Sequence, residues 1–278
     1  MDEYTGSVKD WLDKRFKLVD GEGVYLAHQP IYGFNKGHCE KFPSVLSRYV
    51  PTYKIMEALS HIKFNSLLDV GGAEGYTAAL VRELFNSYVK STDLSEEACK
   101  RAREIYKIDS EQADMQSLPF KDNEYDVVIC SESLEHVKDH QKAITELLRV
   151  ANNALVITLP HDTEEDVKNT IKAKKIHGHI HGFNIDSFNF LKSKDCQVIT
   201  KRMISRYTNI PVLSRLTDKK IVVALLTTFD QIASTVLTQY SGILVVILKK
   251  KGCNKKIGRA HVSAYRILSF SVPEYRLR

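Results

Sequence analysis

From Phe64 onward the chain alternates short β-branched, apolar runs with longer segments of helical period. The runs are "SLLDV" (66–70), "YVKSTD" (88–93), "YDVVIC" (125–130), "ALVITL" (154–159), "CQVIT" (196–200) and "ILVVILK" (243–249). Short, nearly continuous apolar stretches of this kind fit strands covered on both faces, and the spacing between them fits crossover helices. Helices are predicted at Tyr76–Phe85, Ser95–Tyr106, Asp139–Val150 and Asp186–Lys194. Residues 64–250 therefore read as one doubly wound α/β domain with a mostly parallel sheet. Residues 1–63 read as an N-terminal helical cap. It has one helix near Val8–Leu18 and another from about Pro51 to His61, joined by the glycine- and aromatic-rich stretch "GVYLAHQPIYGFNKGH" (23–38).

One apolar segment competes with this pattern. Ile221 to Leu248 contains no lysine, arginine or histidine and raises a membrane-spanning helix. Asp230, Gln231 and Gln239 lie near its middle, and "YSG" interrupts it. A charge at the bilayer centre costs about 3 kcal/mol, so a helix followed by a buried last strand is predicted, with no stable membrane span.

With 278 residues, 43% of them hydrophobic, the chain can fill the core of one sizeable domain. Five cysteines (Cys39, Cys99, Cys130, Cys196 and Cys253) lack CxxC spacing, and the opening "MDEYTGSVKDWLDKRFK" is polar and amphipathic. Reduced thiols and a cytoplasmic protein are expected. The net charge of +6 is concentrated at the C-terminus, where six basic residues from Lys255 onward face only Glu274. The body is nearly neutral, which argues against a nucleic-acid partner. The basic tail, residues 251–278, shows no sustained period. Two readings stand for it: a disordered tail, or non-native sequence, since "KIGRAHV" resembles the translation of a sequencing-adapter oligonucleotide.

The candidate chemistry begins at "LDVGGAEG" (68–75), a glycine-rich turn between a strand and a helix. Such a turn brings backbone amides at a helix N-terminus close to a ligand. The dinucleotide pattern GxGxxG fails here, because Ala73 and Tyr76 occupy its second and third glycine positions. Asp93 ends the next strand, just before a helix with Ser95 as its cap and Glu96 and Glu97 near its positive end.

"LLDVGGAEGY" (67–76) resembles the first motif of class I S-adenosylmethionine-dependent methyltransferases, with Ala73 where the central glycine is usual. "ADMQSLPFKDNEYDVVICSESLEHVKD" (113–139) resembles the run that follows in the small-molecule, type 11-like branch. The likeness covers about Leu67 to Leu159 and extends more loosely to Lys249. It implies a Rossmann-like seven-stranded sheet and S-adenosylmethionine as cofactor. It also implies that Asp69, Gly71, Gly72, Ala73 and Gly75 hold the methionine portion, with Asp69 acting through the turn. Asp93 with Leu94 takes the ribose hydroxyls, and Asp114 with the Met115 backbone takes the adenine. Ser131 and Glu132 stand beside the methionine moiety.

The activated sulfonium methyl needs chiefly alignment with a nucleophile, and a base only where the acceptor must lose a proton. His136 and His161, each just after a strand, are the candidates for that task, although either can equally be a backbone-bonded structural histidine. His177, His179 and His181 alternate and invite a metal hypothesis, but without cysteine or acidic ligands in register no metal is expected. Tyr25, His28, Tyr32, Phe34 and His38 either close over an acceptor or form a satellite apolar cluster. "SESLEH" after the fourth strand lacks the motifs of base methylation, which leaves a small-molecule acceptor as the expected partner. The alternatives are a catalytically inactive cofactor-binding partner or regulatory protein and, more weakly, a nicotinamide-dependent oxidoreductase.

Overall fold

A computed structural model of the chain describes residues 2–26, 45–193, 195–204 and 220–249, with Val262, Ile267, Phe270, Arg276 and Arg278. Its strands are β1 (Ser66–Val70), β2 (Tyr88–Asp93), β3 (Asp109–Gln112), β4 (Tyr125–Ser131), β5 (Ala151–Pro160), β6 (Cys196–Met203) and β7 (Gly242–Lys249). They form one seven-stranded sheet in the order β3-β2-β1-β4-β5-β7-β6. β1 to β5 pair in parallel, and β7 runs antiparallel to both β5 and β6. The chain winds outward from β1 in one direction and returns to start again at β4. The topological switch therefore lies between these two strands, where open sheets of this kind bind ligands.

Strand periodicity divides the core in two. Leu67, Val127, Ile129, Val156 and Val246 face the helices α1 (Glu3–Arg15), α2 (Val45–Leu59), α3 (Tyr76–Phe85) and α4 (Glu96–Arg101). Leu68, Val128, Cys130, Leu155 and Val245 face α5 (His140–Val150), whose Ala143, Ile144, Leu147 and Val150 form one buried stripe. Alternate residues of each strand thus supply opposite cores, as a sheet covered on both faces requires.

Several expectations need correction. β3 was not predicted, because "DSEQ" is a short polar edge strand with only Ser110 buried. The helix α6 (Glu164–Lys172) was also missed. It buries no residue and is held by a capping box between Thr163 and Asp166. The helix predicted over Asp186–Lys194 is reduced to a 3-10 turn at Asn189–Leu191. There Asn184 Oδ1 accepts from the Asp186 N–H at 2.9 Å and Asn189 Nδ2 donates to Asp186 Oδ1 at 2.7 Å, local bonds that compete with the helix ladder. Helix α4 widens into a π turn over Ala102–Tyr106, which Lys107 ends in the left-handed region.

The apolar segment holds α7 (Lys220–Val236) followed by the fully covered β7. Among the described residues no helix is long and apolar enough to cross a membrane. Cys99 and Cys130 are buried free thiols and Cys196 is half-buried. Cys39, Cys253, His28, Tyr32, Phe34 and His38 lie outside the described residues. Tyr25 is buried, with the Arg101 guanidinium 4.6 Å from its ring. The described residues of the tail meet the core: Ile267 is buried, and the Phe270 ring lies 5.6 Å from Tyr76 and 6.2 Å from Tyr106.

Candidate active site

At the carboxyl ends of β1, β2 and β4 a cleft opens with about 860 Å³ of free space, its mouth included. Gly71, Ala73, Asp93 and Leu94 form one side, Asp114 and Met115 another, and Ser131, Glu132 and His136 a third. Helix α1 closes the cleft from above with Tyr4, Val8, Leu12 and Phe16.

The turn after β1 explains its glycines. Gly71 has φ +74°, and a Cβ there would lie 2.5 Å from Ser133 Oγ. Gly75, at φ +82°, caps α3 and lets Ala102 approach so closely that a Cβ would stand 2.8 Å from the Ala102 Cβ. Its task is helix packing, and neither Gly72 nor Gly75 is among the cleft-lining residues. Ala73 adopts φ +49° with its methyl facing the cleft, a conformation that costs a non-glycine residue roughly 1 kcal/mol. Glu132, at φ +51°, is held the same way across the cleft.

Asp93 binds the turn to the next helix. Its Oδ2 accepts from the Ala73 N–H and its Oδ1 from the Ser95 N–H, both at 2.9 Å. Burial pushes its carboxyl up to about 6, and the backbone donors oppose that rise. Asp69 lies behind the turn, 1% exposed and away from the cleft wall. Burial first, and then the nearby Asp93 charge, pushes Asp69 up to about 7, and its Oδ2 has no hydrogen-bond partner. Asp114, on the cleft wall, accepts from the backbone and side-chain nitrogens of Gln116 at 2.9 and 3.1 Å through the same oxygen.

Several bonds fasten the roof. Ser95 Oγ donates to Asp13 Oδ1 at 2.5 Å, Arg101 Nε donates to the Phe16 carbonyl at 3.3 Å, and the Tyr4 hydroxyl donates to the His136 carbonyl at 3.1 Å. These roof residues were absent from the sequence candidates. The available signal was the spacing of Tyr4, Val8 and Leu12, four residues apart and so on one helical face.

The two candidate histidines part company. His136 lines the cleft, whereas His161 lies outside it, with Nδ1 2.8 Å from the Phe183 carbonyl and its ring stacked on Tyr240 at 4.2 Å. The alternating histidines do not share a strand face, because residues 177–181 form a loop. His177 stacks on His136 at 3.8 Å and lines the cleft, His179 pairs with Asp162, and His181 Nε2 lies against the Val137 carbonyl at 2.8 Å.

A doubly wound sheet with a glycine turn after β1, an acid closing β2 and a cleft at the β1–β4 switch point defines a nucleoside-binding α/β domain. Residues 68–154 match the family model described as a methyltransferase domain. Over that stretch the chain is similar to methyltransferase domains, as its motifs lead one to expect. Norajmaline N-methyltransferase of Rauvolfia serpentina is 34% identical over 96 residues, which cover 32% of this chain and 33% of that enzyme. The match thus spans about a third of that curated relative's length. Geranyl diphosphate C-methyltransferase from Streptomyces coelicolor A3(2) has a similar fold, with a TM-score of 0.57 at 14% identity over 89% of this chain and 98% of that one. Phosphoethanolamine N-methyltransferase 2 of Haemonchus contortus also gives a TM-score of 0.57, at 16% identity over 87% of this chain and 60% of that one.

Proposed function

We propose that the protein transfers a methyl group from S-adenosylmethionine to a small-molecule acceptor in the cleft beneath α1. The observation that carries this reading is the meeting of Asp93, Asp114 and the glycine turn on one cleft. The residues fit the cofactor's chemistry: the cleft presents carboxylates to a ligand bearing an ammonium and a sulfonium, and the turn lets a ligand approach its backbone. Asp93 would accept from the vicinal ribose hydroxyls through the lone pairs its two amide bonds leave over. Asp114 and the Met115 backbone would take the adenine edge. Gly71, Ala73, Ser131 and Glu132 would enclose the methionine portion, while Asp69 supports the turn from behind.

Bound S-adenosylmethionine supplies a methyl already activated for in-line displacement, so the chain's task is alignment and exclusion of water. Tyr4, Val8 and Leu12 provide an apolar roof for that purpose. Of the two candidate histidines, His136 is the one placed to orient or deprotonate an acceptor. The domain limits, 1–63 for the cap and 64–250 for the catalytic unit, follow from the same assignment.

The test is calorimetric titration of the full chain with S-adenosylhomocysteine, with reduced nicotinamide dinucleotide as the control, followed by transfer of a labelled methyl group into fractionated acceptor pools. Selective binding with labelled product supports the reading. Binding without product in any pool supports an inactive partner, and preference for the dinucleotide overturns the nucleoside assignment.

A further inference from the structure

Beside the cleft, just after β4, three side chains from two segments converge. Glu135, His136 and His179 each bring one ligand atom into a group whose members all lie within 4.8 Å of one another. Glu135 Oε1 is 3.7 Å from His136 Nε2. Donor atoms around a tetrahedral zinc-like ion, with bonds of about 2.0–2.1 Å, stand roughly 3.3 Å apart, so a small contraction closes the group on an ion. His179 has the room to make it, with 38% of its side chain exposed.

The other ring nitrogens of both histidines are already engaged. His136 Nδ1 lies 3.0 Å from the Gly178 carbonyl, and His179 Nδ1 lies 2.5 Å from Asp162 Oδ2. A carbonyl or carboxylate on Nδ1 fixes the tautomer with its proton on that nitrogen and turns the Nε2 lone pair outward, the arrangement usual for metal-ligating histidines. The sequence offered no acidic ligand in register with 177–181. Folding supplies two, Glu135 as a ligand and Asp162 as the group that orients His179. Helix α1 tightens the cluster, since Trp11 stacks on His177 at 4.7 Å and His177 stacks in turn on His136.

We propose that Glu135, His136 and His179 bind a divalent transition ion of the zinc class at the margin of the cleft. Two imidazoles and one carboxylate suit zinc and its neighbours and suit magnesium or calcium poorly, because those ions favour all-oxygen shells. Three protein ligands leave a fourth position open, and His136 belongs to both the cluster and the cleft wall, so that position adjoins the bound acceptor. An anionic or hydroxyl oxygen of the acceptor is the chemistry such an ion recognises. With the ion in place His136 serves as a ligand, and the acidity of the acceptor oxygen comes from the ion. Ion binding itself stands independently of the methyl-transfer reading and is measured without turnover.

The experiment uses the full chain stripped by a chelator and then titrated with Zn2+ against a chromophoric chelator, and with Co2+ followed by visible absorption. One ion per chain and the strong absorption of low-coordinate cobalt are expected. His179→Gln should weaken Zn2+ at least tenfold. Asp162→Asn should weaken it by about 10- to 100-fold. His181→Gln, whose ring lies on the Val137 carbonyl, should bind as the wild type does. Absence of stoichiometric binding in the folded chain, stronger binding of Mg2+ than of Zn2+, or an equal loss in His181→Gln overturns the proposal. Should His179→Gln fail to fold by circular dichroism, Asp162→Asn decides, and wild-type affinity there also overturns it.

Discussion

Asp93→Asn separates the binding role of this carboxyl from its structural one. The substitution keeps the shape, removes the charge and turns one acceptor oxygen into a donor facing a backbone N–H. The carboxyl stands at about 6 against an ordinary 3.8. At about 1.36 kcal/mol for each pH unit, ionising it in the folded chain costs roughly 3 kcal/mol more than in the unfolded chain. Asparagine removes that cost at pH 8. Against this, either Ala73 or Ser95 loses its acceptor, an orphaned buried amide costing about 1–3 kcal/mol. The two effects nearly cancel, so stability in urea at pH 8 should change by no more than about 1 kcal/mol.

Affinity should respond differently. Loss of a charged acceptor for two hydroxyls is worth about 2–3 kcal/mol, roughly 30- to 150-fold in the Kd for S-adenosylhomocysteine. The pH dependence adds a second reading. Because the folded carboxyl is raised above its unfolded value, its stabilising contribution is complete below about pH 3.8 and is lost as pH rises through about 6. Wild type should therefore gain stability from this group on acidification from pH 7 to pH 4.5, and the variant should lack that part of the slope. Asp69, raised to about 7, contributes its own slope in both proteins. Urea melts between pH 4.5 and 8, with calorimetry at pH 7.5, measure all of this. A folded variant with wild-type affinity refutes the ribose assignment, and an unchanged pH slope refutes the account of burial.

Ala73→Gly should raise stability by about 0.5 kcal/mol, since the left-handed strain it relieves slightly exceeds the entropy glycine adds to the unfolded chain; a loss above 1 kcal/mol in urea melts would contradict this. Phe270→Ala should cost about 1–3 kcal/mol through its contacts with Tyr76 and Tyr106, and a neutral result would show that the tail does not contribute to the fold. Asp230→Ala should cost about 3–5 kcal/mol, because the buried Lys54 ammonium 3.9 Å away and the Ile204 N–H at 2.7 Å both lose this carboxylate. In thermal melts, adding Lys54→Met should recover part of that loss. Tyr4→Phe removes one bond between α1 and the His136 carbonyl, and about 1 kcal/mol less closure should speed S-adenosylhomocysteine release roughly fivefold in stopped flow.

The sheet and the glycine turn at its carboxyl edge were legible because their signals are local. β1, β2 and α3 have the bounds their apolar runs predict, and the register from Asp69 to Asp93 follows from one strand, one helix and one strand. The glycine turn was readable at Gly71, where φ is positive, but sequence did not separate it from Gly75, whose task is to admit Ala102. Asp69 illustrates a different limit. The motif implies that Asp69 acts through the turn, but not that the fold buries its carboxyl to 1% exposure behind that turn. The acceptor half was not legible, since it joins Tyr4, His136 and His177 from three segments more than a hundred residues apart at their extremes. The metal candidates failed in sequence for the same reason: Glu135 and Asp162 approach His179 only after the loop folds back.

The buried acids also bear on how a transferase of this kind would tell its substrate from its product. Asp69 and Asp93 are two carboxyls close enough for the Asp93 charge to raise Asp69, in a region where water contributes little screening. Such a pair is held partly protonated until positive charge arrives, and a cation in the cleft lowers both values and releases protons. S-adenosylmethionine and S-adenosylhomocysteine both carry the ammonium, and only the former carries the sulfonium. The extra charge is attracted by carboxylates in a low-dielectric cleft, and the attraction disappears in the step that transfers the methyl. In the proposed reaction, the Asp93 carboxylate on the cleft wall would favour entry of the charged form and exit of the neutral thioether.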